Sequence, residues 1–432
     1  MSAALQLDRV LSRALDPEVG LIKYLVELER APDEPKLHIL VSGVQDPLTI
    51  PPRIANSNAE RAAIQGTGAG FDRQSALWAT VGESLERYAA YIYDNDYIVY
   101  APYESLQRKA VDPRKLILFS DEQYANPDFQ FHRPSNSESI GWVEGWELRT
   151  HCRALVPASI VFLGYQGRRH ERIDAGYSTG TAAGPDVRSA TTSGLLEVIE
   201  RDAFMCHWLL GHSPAQISVE HAIPKVRPQS RPLLEHPNVS KYILDISTEL
   251  GIPCVLVLLK PRDGRGVAIG AACRLSPIDA LEKATIEAFH TLNWTRDMVR
   301  SRVAPATREE IREFRHHVQF YLAPENFRHL AFLLDGPESS TLLDQPVPQG
   351  DVLENIISRL HEQALEAFAV DITPDDVCSL GLRVVRCVVP GLHPIYCGVG
   401  SEHLNRRRLD RFASWAGIPI DTPLNLQPHP FP

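Results

Sequence analysis

The 432-residue chain is 44% hydrophobic and 23% charged, the balance of an ordinary globular protein with ample core. Its formal net charge of -10 argues against a nucleic-acid or anionic-membrane surface, and Arg406-Arg407-Arg408 is too short a basic run to reverse that. Seven scattered cysteines, odd in number and without a Cys-x-x-Cys pair, exclude a disulfide framework and read as buried thiols of a reducing compartment. With neither a signal peptide nor a long apolar run, the cytoplasm is the expected location.

In chain order, a short helical pattern near Leu5 to Leu15 precedes two strands, Leu21 to Leu28 and Leu37 to Val41, joined by a Pro32-Asp33-Glu34-Pro35 turn. A glycine-rich segment, Gly66 to Gly70, reads as a turn before a helix that ends near Arg87. Tyr97 to Tyr100 reads as a strand, residues 106 to 140 as irregular and polar, and Trp142 to Leu148 and Ala154 to Tyr165 as further strands. Gly180 to Gly184 repeats the glycine-rich turn, and its helix continues through Phe204 and Trp208. Pro253 to Lys260 and Gly266 to Cys273 flank Asp263-Gly264, a hairpin signal. Ser276-Pro277 opens a long helix, with Ser as N-cap and Pro at the first helical position. Thr307 with Glu310 forms a capping box for the next helix. Residues 335 to 350 read as a surface loop and Arg383 to Val389 as a late strand. The expected class is mixed α/β (α+β), with antiparallel-rich sheets and helices packed on them.

Two segments are near-copies at an offset of 114. Gly66, Thr67, Ala69, Gly70, Asp72, Ser75, Ala76, Glu83, Glu86 and Arg87 recur as Gly180, Thr181, Ala183, Gly184, Asp186, Ser189, Ala190, Glu197, Glu200 and Arg201. Ten identities over 22 positions, where ordinary composition gives about one or two, point to one structural unit used twice. Each copy ends in Glu-x-x-Glu-Arg inside a helical pattern, where positions i, i+3 and i+4 share a face. Helices that faced each other would gather four carboxylates and two guanidiniums. Four such carboxylates cannot all stay ionised without cations; Mg²⁺ answers that need and brings phosphates with it, which suit the arginines. A single Glu-x-x-Glu-Arg is an ordinary solvated face; two matched copies are not.

No Walker-type Gly-x-x-x-x-Gly-Lys-Ser/Thr occurs. The two glycine-rich segments could cradle phosphates at helix N-termini. Cys206-His207 with His212, and His316-His317, fall on apolar helical stretches and read as core or surface histidines rather than metal ligands. The segment Pro428-His429-Pro430-Phe431-Pro432 excludes helix and favours an extended tail, either a disordered end or a rigid arm that places a carboxylate in a cleft.

Ser193-x-x-x-Glu197-x-x-Glu200-Arg201, the preceding Ser178 to Gly184, Glu83-x-x-Glu86-Arg87 and the terminal Pro-x-Pro-x-Pro together resemble the YcaO-domain family, and more narrowly its azoline-forming cyclodehydratases. The resemblance covers about Gly66 to Pro432. It implies a single pseudo-duplicated YcaO domain over 1–432. Residues 1–60 would be a lead-in used for partner docking, 61–420 the catalytic core around an ATP cleft, and 421–432 the proline-rich tail. It implies that Glu83, Glu86, Glu197 and Glu200 hold Mg²⁺ against ATP. Ser178, Gly180, Ser193, Arg87 and Arg201 would contact the nucleotide, with Arg201 also acting on phosphate in catalysis. Pro432 would bring its carboxylate to the reacting groups. Three positions depart from the family pattern: Ala69 where Lys is frequent, Ala79 where Ser is frequent, and His290 where Glu-x-x-Gln would place Gln after Glu287.

The reaction so implied is ATP-dependent cyclodehydration. A Cys, Ser or Thr of a ribosomal precursor peptide attacks the preceding amide, the oxyanion is phosphorylated, and phosphate leaves to give a thiazoline or oxazoline. The expected partners are the precursor peptide, a separate leader-binding E1-like or ThiF-like protein, an FMN-dependent azoline dehydrogenase and a second copy of the chain within a larger complex. Nucleic acid and membrane are not expected partners. Thioamide or amidine formation and a non-catalytic scaffold are the alternatives. The proline tail argues against the former and the full set of glutamates against the latter.

Overall fold

The computed structural model describes residues 3–30, 34–46, 65–106 and 109–432. Pro32 and Asp33 of the expected N-terminal turn, and most of the second half of the 1–60 lead-in, lie outside the described residues. Helix α1 (Ala3–Ala14) precedes β1 (Ile22–Glu27) and β2 (His38–Val44), followed by β3 (Gln65–Gly70) and α2 (Arg73–Ala90). Strands β4 (Val99–Pro102), β5 (Ser139–Glu147) and β6 (Arg153–Pro157) lead to β7 (Thr181–Gly184) and α3 (Val187–Leu210). Then come β8 (Ala215–Ile217), β9 (Val239–Asp245), β10 (Cys254–Pro261), β11 (Ala268–Cys273) and α4 (Pro277–Arg300). The rest comprises α5 (Phe314–Phe320), α6 (Val352–Glu362), β12 (Phe368–Asp371), β13 (Arg383–Val388) and α7 (Arg407–Ala416), with short helical turns between.

The chain divides into two compact units. The first holds Met1–Arg30, Leu37–Val198 and Leu360–Gly391; the second holds Ala31–Lys36, Ile199–Arg359 and Leu392–Pro432. The first unit contains a three-stranded sheet, β1-β2-β3, and a six-stranded sheet ordered β4-β5-β12-β13-β7 with β6 paired to β5. Its core gathers Leu40, Val81, Leu85, Tyr88, Val156, Val370 and Val384 from both sheets and α2. The second unit contains a four-stranded sheet, β11-β10-β9-β8. Its strands β10 and β11 are buried almost throughout, and α4 is packed on them. Every sheet pairing is antiparallel.

The hairpin predicted at Asp263-Gly264 forms, with Leu259 opposite Ala268. Ser276 caps α4 by accepting from the N–H of Asp279 at 3.2 Å. Two expectations change. Pro157 ends β6, and the chain turns into a short helix at Ala158–Val161 instead of continuing extended to Tyr165. The Glu310 carboxylate does accept from the N–H of Thr307 at 2.8 Å, but over an isolated helical turn, with α5 beginning only at Phe314. All seven cysteines are thiols; Cys206, Cys254, Cys273 and Cys387 are buried, whereas Cys152 and Cys378 are exposed.

The repeat has a structural meaning at almost every identity. Its glycine-rich segments are strands, β3 and β7, rather than turns. In β3 the glycines let α2 lie directly against the strand: a Cβ on Gly68 would stand 2.4 Å from the N of Thr80, and one on Gly66 2.3 Å from the Ser84 hydroxyl. Asp72 and Asp186 cap the two helices, accepting from the N–H groups of Ser75 at 2.8 Å and Ser189 at 2.7 Å. Half of the repeat therefore encodes a strand-to-helix joint, and the other half a charged helix face.

Candidate active site

In the first unit, α2 carries Glu83, Glu86 and Arg87, and the first half of α3 carries Glu197. The Glu83 carboxylate accepts from the N–H of Thr67 at 2.7 Å and from its hydroxyl at 2.9 Å. It also accepts from Arg87 Nη2 at 2.6 Å and Nε at 3.0 Å. Burial alone would raise its pKa, but the Arg87 charge and the Thr67 donors outweigh that and hold it below the ordinary value. Glu197 of the second copy accepts from the N–H of Gly180 at 3.2 Å, one repeat position before the Thr67 that serves Glu83.

Glu86 differs. It reaches out of its own copy and accepts from the N–H of Ala183 on β7, at 2.7 Å. Burial, and the charges of Glu197 and Glu83 beside it, outweigh that single bond and push its carboxyl up to about 8. Without a cation it is therefore largely protonated at neutral pH. Arg386 on β13 adds a buried positive charge to this region. It donates from Nη1 to the Thr181 hydroxyl and from Nη2 to the Ile160 carbonyl, both at 3.0 Å, while its Nε is buried without a partner. Burial pushes its pKa down to about 10, against the pull of Glu197.

In the second unit, the rest of α3 carries Glu200 and Arg201. Arg201 Nη1 lies 2.9 Å from the nearly buried Glu200 carboxylate. The next residue, Asp202, is fully buried and chelates Arg408 of α7 through Nε at 2.8 Å and Nη2 at 2.7 Å. Arg408 also reaches Glu249 at 2.8 Å, and Asp202 accepts from the N–H of His393 at 2.7 Å. This network fixes the rotation of α3 one residue from Arg201.

The proline-rich tail is ordered in this same unit. Trp208 Nε1 donates to the Gln427 carbonyl at 3.1 Å, and the Tyr321 hydroxyl to the Pro428 carbonyl at 2.5 Å. His429 and Phe431 are buried, and Pro432 is partly buried. The guanidinium carbon of Arg201 sits 4.0 Å from the centre of the Phe431 ring. The tail is thus a seated strap, not a frayed end, and it touches the second Glu-x-x-Glu-Arg helix.

The remaining sequence candidates fall around these groups. Ser178 and Ser193 are exposed. Gly180 has a positive φ of 85°, and a Cβ there would lie 2.4 Å from the carbonyl oxygen of Cys387. Its N–H is engaged by the Glu197 carboxylate. His207, His212 and His317 are core or partly buried histidines; burial pushes His207 down to about 3 and His317 to about 4. Sequence reasoning missed Thr67, Arg386, Trp208, Tyr321 and Tyr396. The recurrence of Thr67 as Thr181 was the one visible signal.

Among the described residues, no group of three or more His, Cys, Asp and Glu side chains is preassembled to hold a metal ion. The donor set nevertheless fits Mg²⁺. The carboxylates present are hard oxygen donors, burial and then the charges of Glu197 and Glu83 raise the pKa of Glu86, and Mg²⁺ keeps waters and phosphate oxygens and needs only one or two carboxylates per ion. Among the described residues no helix is long and apolar enough to cross a membrane.

Comparison with known proteins identifies the family and the fold. Residues 67–393 match the family model described as YcaO cyclodehydratase, ATP- and Mg²⁺-binding. A protein from Rhizobium leguminosarum bv. trifolii, named as an uncharacterized protein in the tfuA 3′ region, is 26% identical over 56% of this chain and 58% of its own length. The solved structure titled heterocyclase in complex with substrate and cofactor superposes with a TM-score of 0.78 at 20% identity, covering 99% of this chain and 57% of that one. YcaO from Methanopyrus kandleri, solved with AMPPCP and Mg²⁺, gives a TM-score of 0.64 at 18% identity, covering 91% and 92%. The chain thus spans a little over half the length of the first two, and nearly all of the third. The mixed helices and antiparallel sheets are those of these structures, and with three quarters of its length inside the family model the chain belongs to the YcaO family, whose cofactors are ATP and Mg²⁺.

Proposed function

We propose that this chain is the ATP-dependent cyclodehydratase that turns Cys, Ser or Thr residues of a ribosomal precursor peptide into thiazolines or oxazolines. The observation that carries the reading is Glu86, a carboxyl pushed up to about 8 by burial and by Glu197 and Glu83, on one of two copies of a Glu-x-x-Glu-Arg helix. Such a group gains most from a divalent cation, because a cation removes the repulsion that keeps it protonated. Bound Mg-ATP supplies the phosphoryl group that makes the amide oxygen a leaving group.

In this proposal Glu83, Glu86, Glu197 and Glu200 hold Mg²⁺. Thr67 and Gly180 orient Glu83 and Glu197 through their N–H groups. Arg201 binds phosphate, and Arg87 balances the charge of Glu83. Ser178, Gly180 and Ser193 contribute to nucleotide contact. A carboxylate at Pro432 takes the proton from the attacking thiol or hydroxyl, supported by the seating of the tail against the Arg201 helix. A leader-binding E1-like partner, an FMN-dependent azoline dehydrogenase and a second copy of the chain complete the proposed cytoplasmic assembly.

The test is direct. Purified protein with Mg-ATP, a leader-binding partner and a Cys- or Ser-containing precursor should release one phosphate per ring, the amide oxygen leaving with it, while mass spectrometry reads the loss of the mass of one water from the peptide. Exchange of oxygen for sulfur without ring formation would instead identify a thioamide-forming enzyme. Nucleotide binding without any peptide change across candidate substrates would identify a scaffold.

A further inference from the structure

The tail is held by donors aimed at successive carbonyl groups. Arg308 Nη2 reaches the Leu426 carbonyl at 3.4 Å, Trp208 Nε1 that of Gln427 at 3.1 Å, and the Tyr321 hydroxyl that of Pro428 at 2.5 Å. His317 Nδ1 donates to the His429 carbonyl at 2.8 Å. A carbonyl can only accept, so His317 carries its proton on Nδ1. By the same argument His429, whose Nε2 donates to the Tyr396 carbonyl at 2.8 Å, carries its proton on Nε2. Its Nδ1 then accepts from the N–H of Phe431 at 3.2 Å. The two imidazoles stack with centroids 3.9 Å apart and planes 14° from parallel. Both ring nitrogens and the carbonyl of His429 are thus committed to fixed partners, and the bond to the Phe431 N–H constrains where the next residue but one lies.

That residue is Phe431. Its ring meets Phe204 of α3 edge-on at 5.0 Å, and on it rests the guanidinium of Arg201. Phe431 is 4% exposed, whereas the Arg201 side chain is 20% exposed. A half-buried arginine has many rotamers. A flat aromatic surface beneath it selects those whose plane is parallel to the ring, and Glu200 at 2.9 Å fixes the rotation within that plane.

We propose that Phe431, pinned by the stacked His317 and His429, is a positioning residue that sets the Arg201 guanidinium for the phosphates of Mg-ATP. The tail then acts on the nucleotide as well as on the peptide. This rests on the reading of Arg201 as a phosphate contact.

Mg-ATP binding is measured by calorimetry on the full chain, with Phe431→Leu and Phe431→Met as variants that keep apolar volume and Phe431→Tyr as the one that keeps the ring. The Leu and Met variants should raise the dissociation constant about tenfold, and Tyr should stay within about twofold of the parent, as loss or retention of a partly buried cation–π contact requires. In an Arg201→Ala background, which itself binds weakly, Phe431→Leu should add nothing. A Phe431→Leu effect of equal size with and without Arg201, or no effect in either apolar variant while Arg201→Ala weakens binding, would overturn the relay. Unchanged binding in Arg201→Ala alone would instead overturn the phosphate-contact reading beneath it. Because Leu and Met differ in shape, folding of either one, checked by its thermal midpoint, is enough for the comparison.

Discussion

The carboxylate of Glu86 accepts from the backbone N–H of Ala183 across 2.7 Å, so the charged helix of the first copy is fastened to the strand of the second. This bond is the point where the two halves of the repeat meet within the first unit. It is also where the electrostatic tension is highest, since Glu197 and Glu83 both repel the group.

Glu86→Gln should therefore separate stability from function. Gln keeps an oxygen that accepts from Ala183 and removes the acidic group that burial and repulsion disfavour. In metal-free protein at pH 7.5 the variant should be more stable by about 1–2 kcal/mol. Mg-dependent ATP turnover should fall by at least about hundredfold, as loss of an inner charge-neutralising group in phosphoryl transfer entails. Denaturant melts and phosphate release measure the two. A destabilised variant, or one with full turnover, would contradict the assignment.

The pH dependence follows from opposing shifts. His207, His317, His393 and His429 all lie below the ordinary histidine value because burial disfavours the cation; His207 stands at about 3, and His317 and His393 at about 4. A lowered histidine leaves the unfolded chain binding more protons below about 6.5, so stability is lost as pH falls through that value, by at most about 2 kcal/mol per residue at pH 5. Glu86 has the opposite sign. Its pKa is raised to about 8, so the folded state binds more protons than the unfolded one from about pH 4.5 upward, and stability is lost as pH rises toward 8. Metal-free protein should be most stable near pH 7, where the protons bound by the four histidines of the unfolded chain balance the one held by Glu86 in the folded protein, and Mg-ATP should flatten only the alkaline limb. Melting temperatures across pH 5 to 8.5, with and without Mg-ATP, would reveal it. A monotonic rise with pH in the metal-free protein would refute the Glu86 contribution.

Much of the fold could be read in the chain because local rules were unopposed. Asp263-Gly264 had apolar runs of strand length on both sides, and Ser276-Pro277 led straight into a helical pattern. The repeat revealed Glu83, Glu86, Glu197 and Glu200 because identity at fixed offset survives without knowledge of the fold. What was misread had a tertiary cause. Gly66 to Gly70 looks like a turn by composition, yet it is a strand whose glycines are demanded by packing contact with the following helix, as the clash of a Gly66 Cβ with Ser84 illustrates. Arg386 carried no local signal, since it sits in an ordinary apolar strand. The seat of the tail joins Trp208 to Gln427, Tyr321 to Pro428 and Tyr396 to His429 over long sequence separations, and no periodicity encodes that.

Arg408→Leu should destabilise the protein by about 3–5 kcal/mol, because it strands the buried Asp202 and Glu249 carboxylates. The double change Asp202→Leu with Arg408→Leu should recover part of that loss, since it removes the unpaired charge with the pair. Chemical denaturation of the two variants tests this. Equal stability of the single and double variants would show that the ion pair is not the source of the loss.

The tail should contribute two separable effects. Pro432 stands beyond the last tail residue whose side chain contacts Arg201, whereas Phe431 is in that contact. Removing Pro432 alone keeps the His317–His429 stack, the Tyr321 bond and the Phe431 ring in place. Ring formation should then drop by about a hundredfold or more, the range for loss of a general base, with the Mg-ATP dissociation constant within about threefold of the parent. Removing Phe431 as well should weaken Mg-ATP by about tenfold in addition, because Arg201 loses the surface that orients it. Paired measurement of azoline formation by mass spectrometry and nucleotide affinity by calorimetry distinguishes the cases. An extension added after Pro432 that left the cyclisation rate undiminished would show that its carboxylate takes no part in the chemistry.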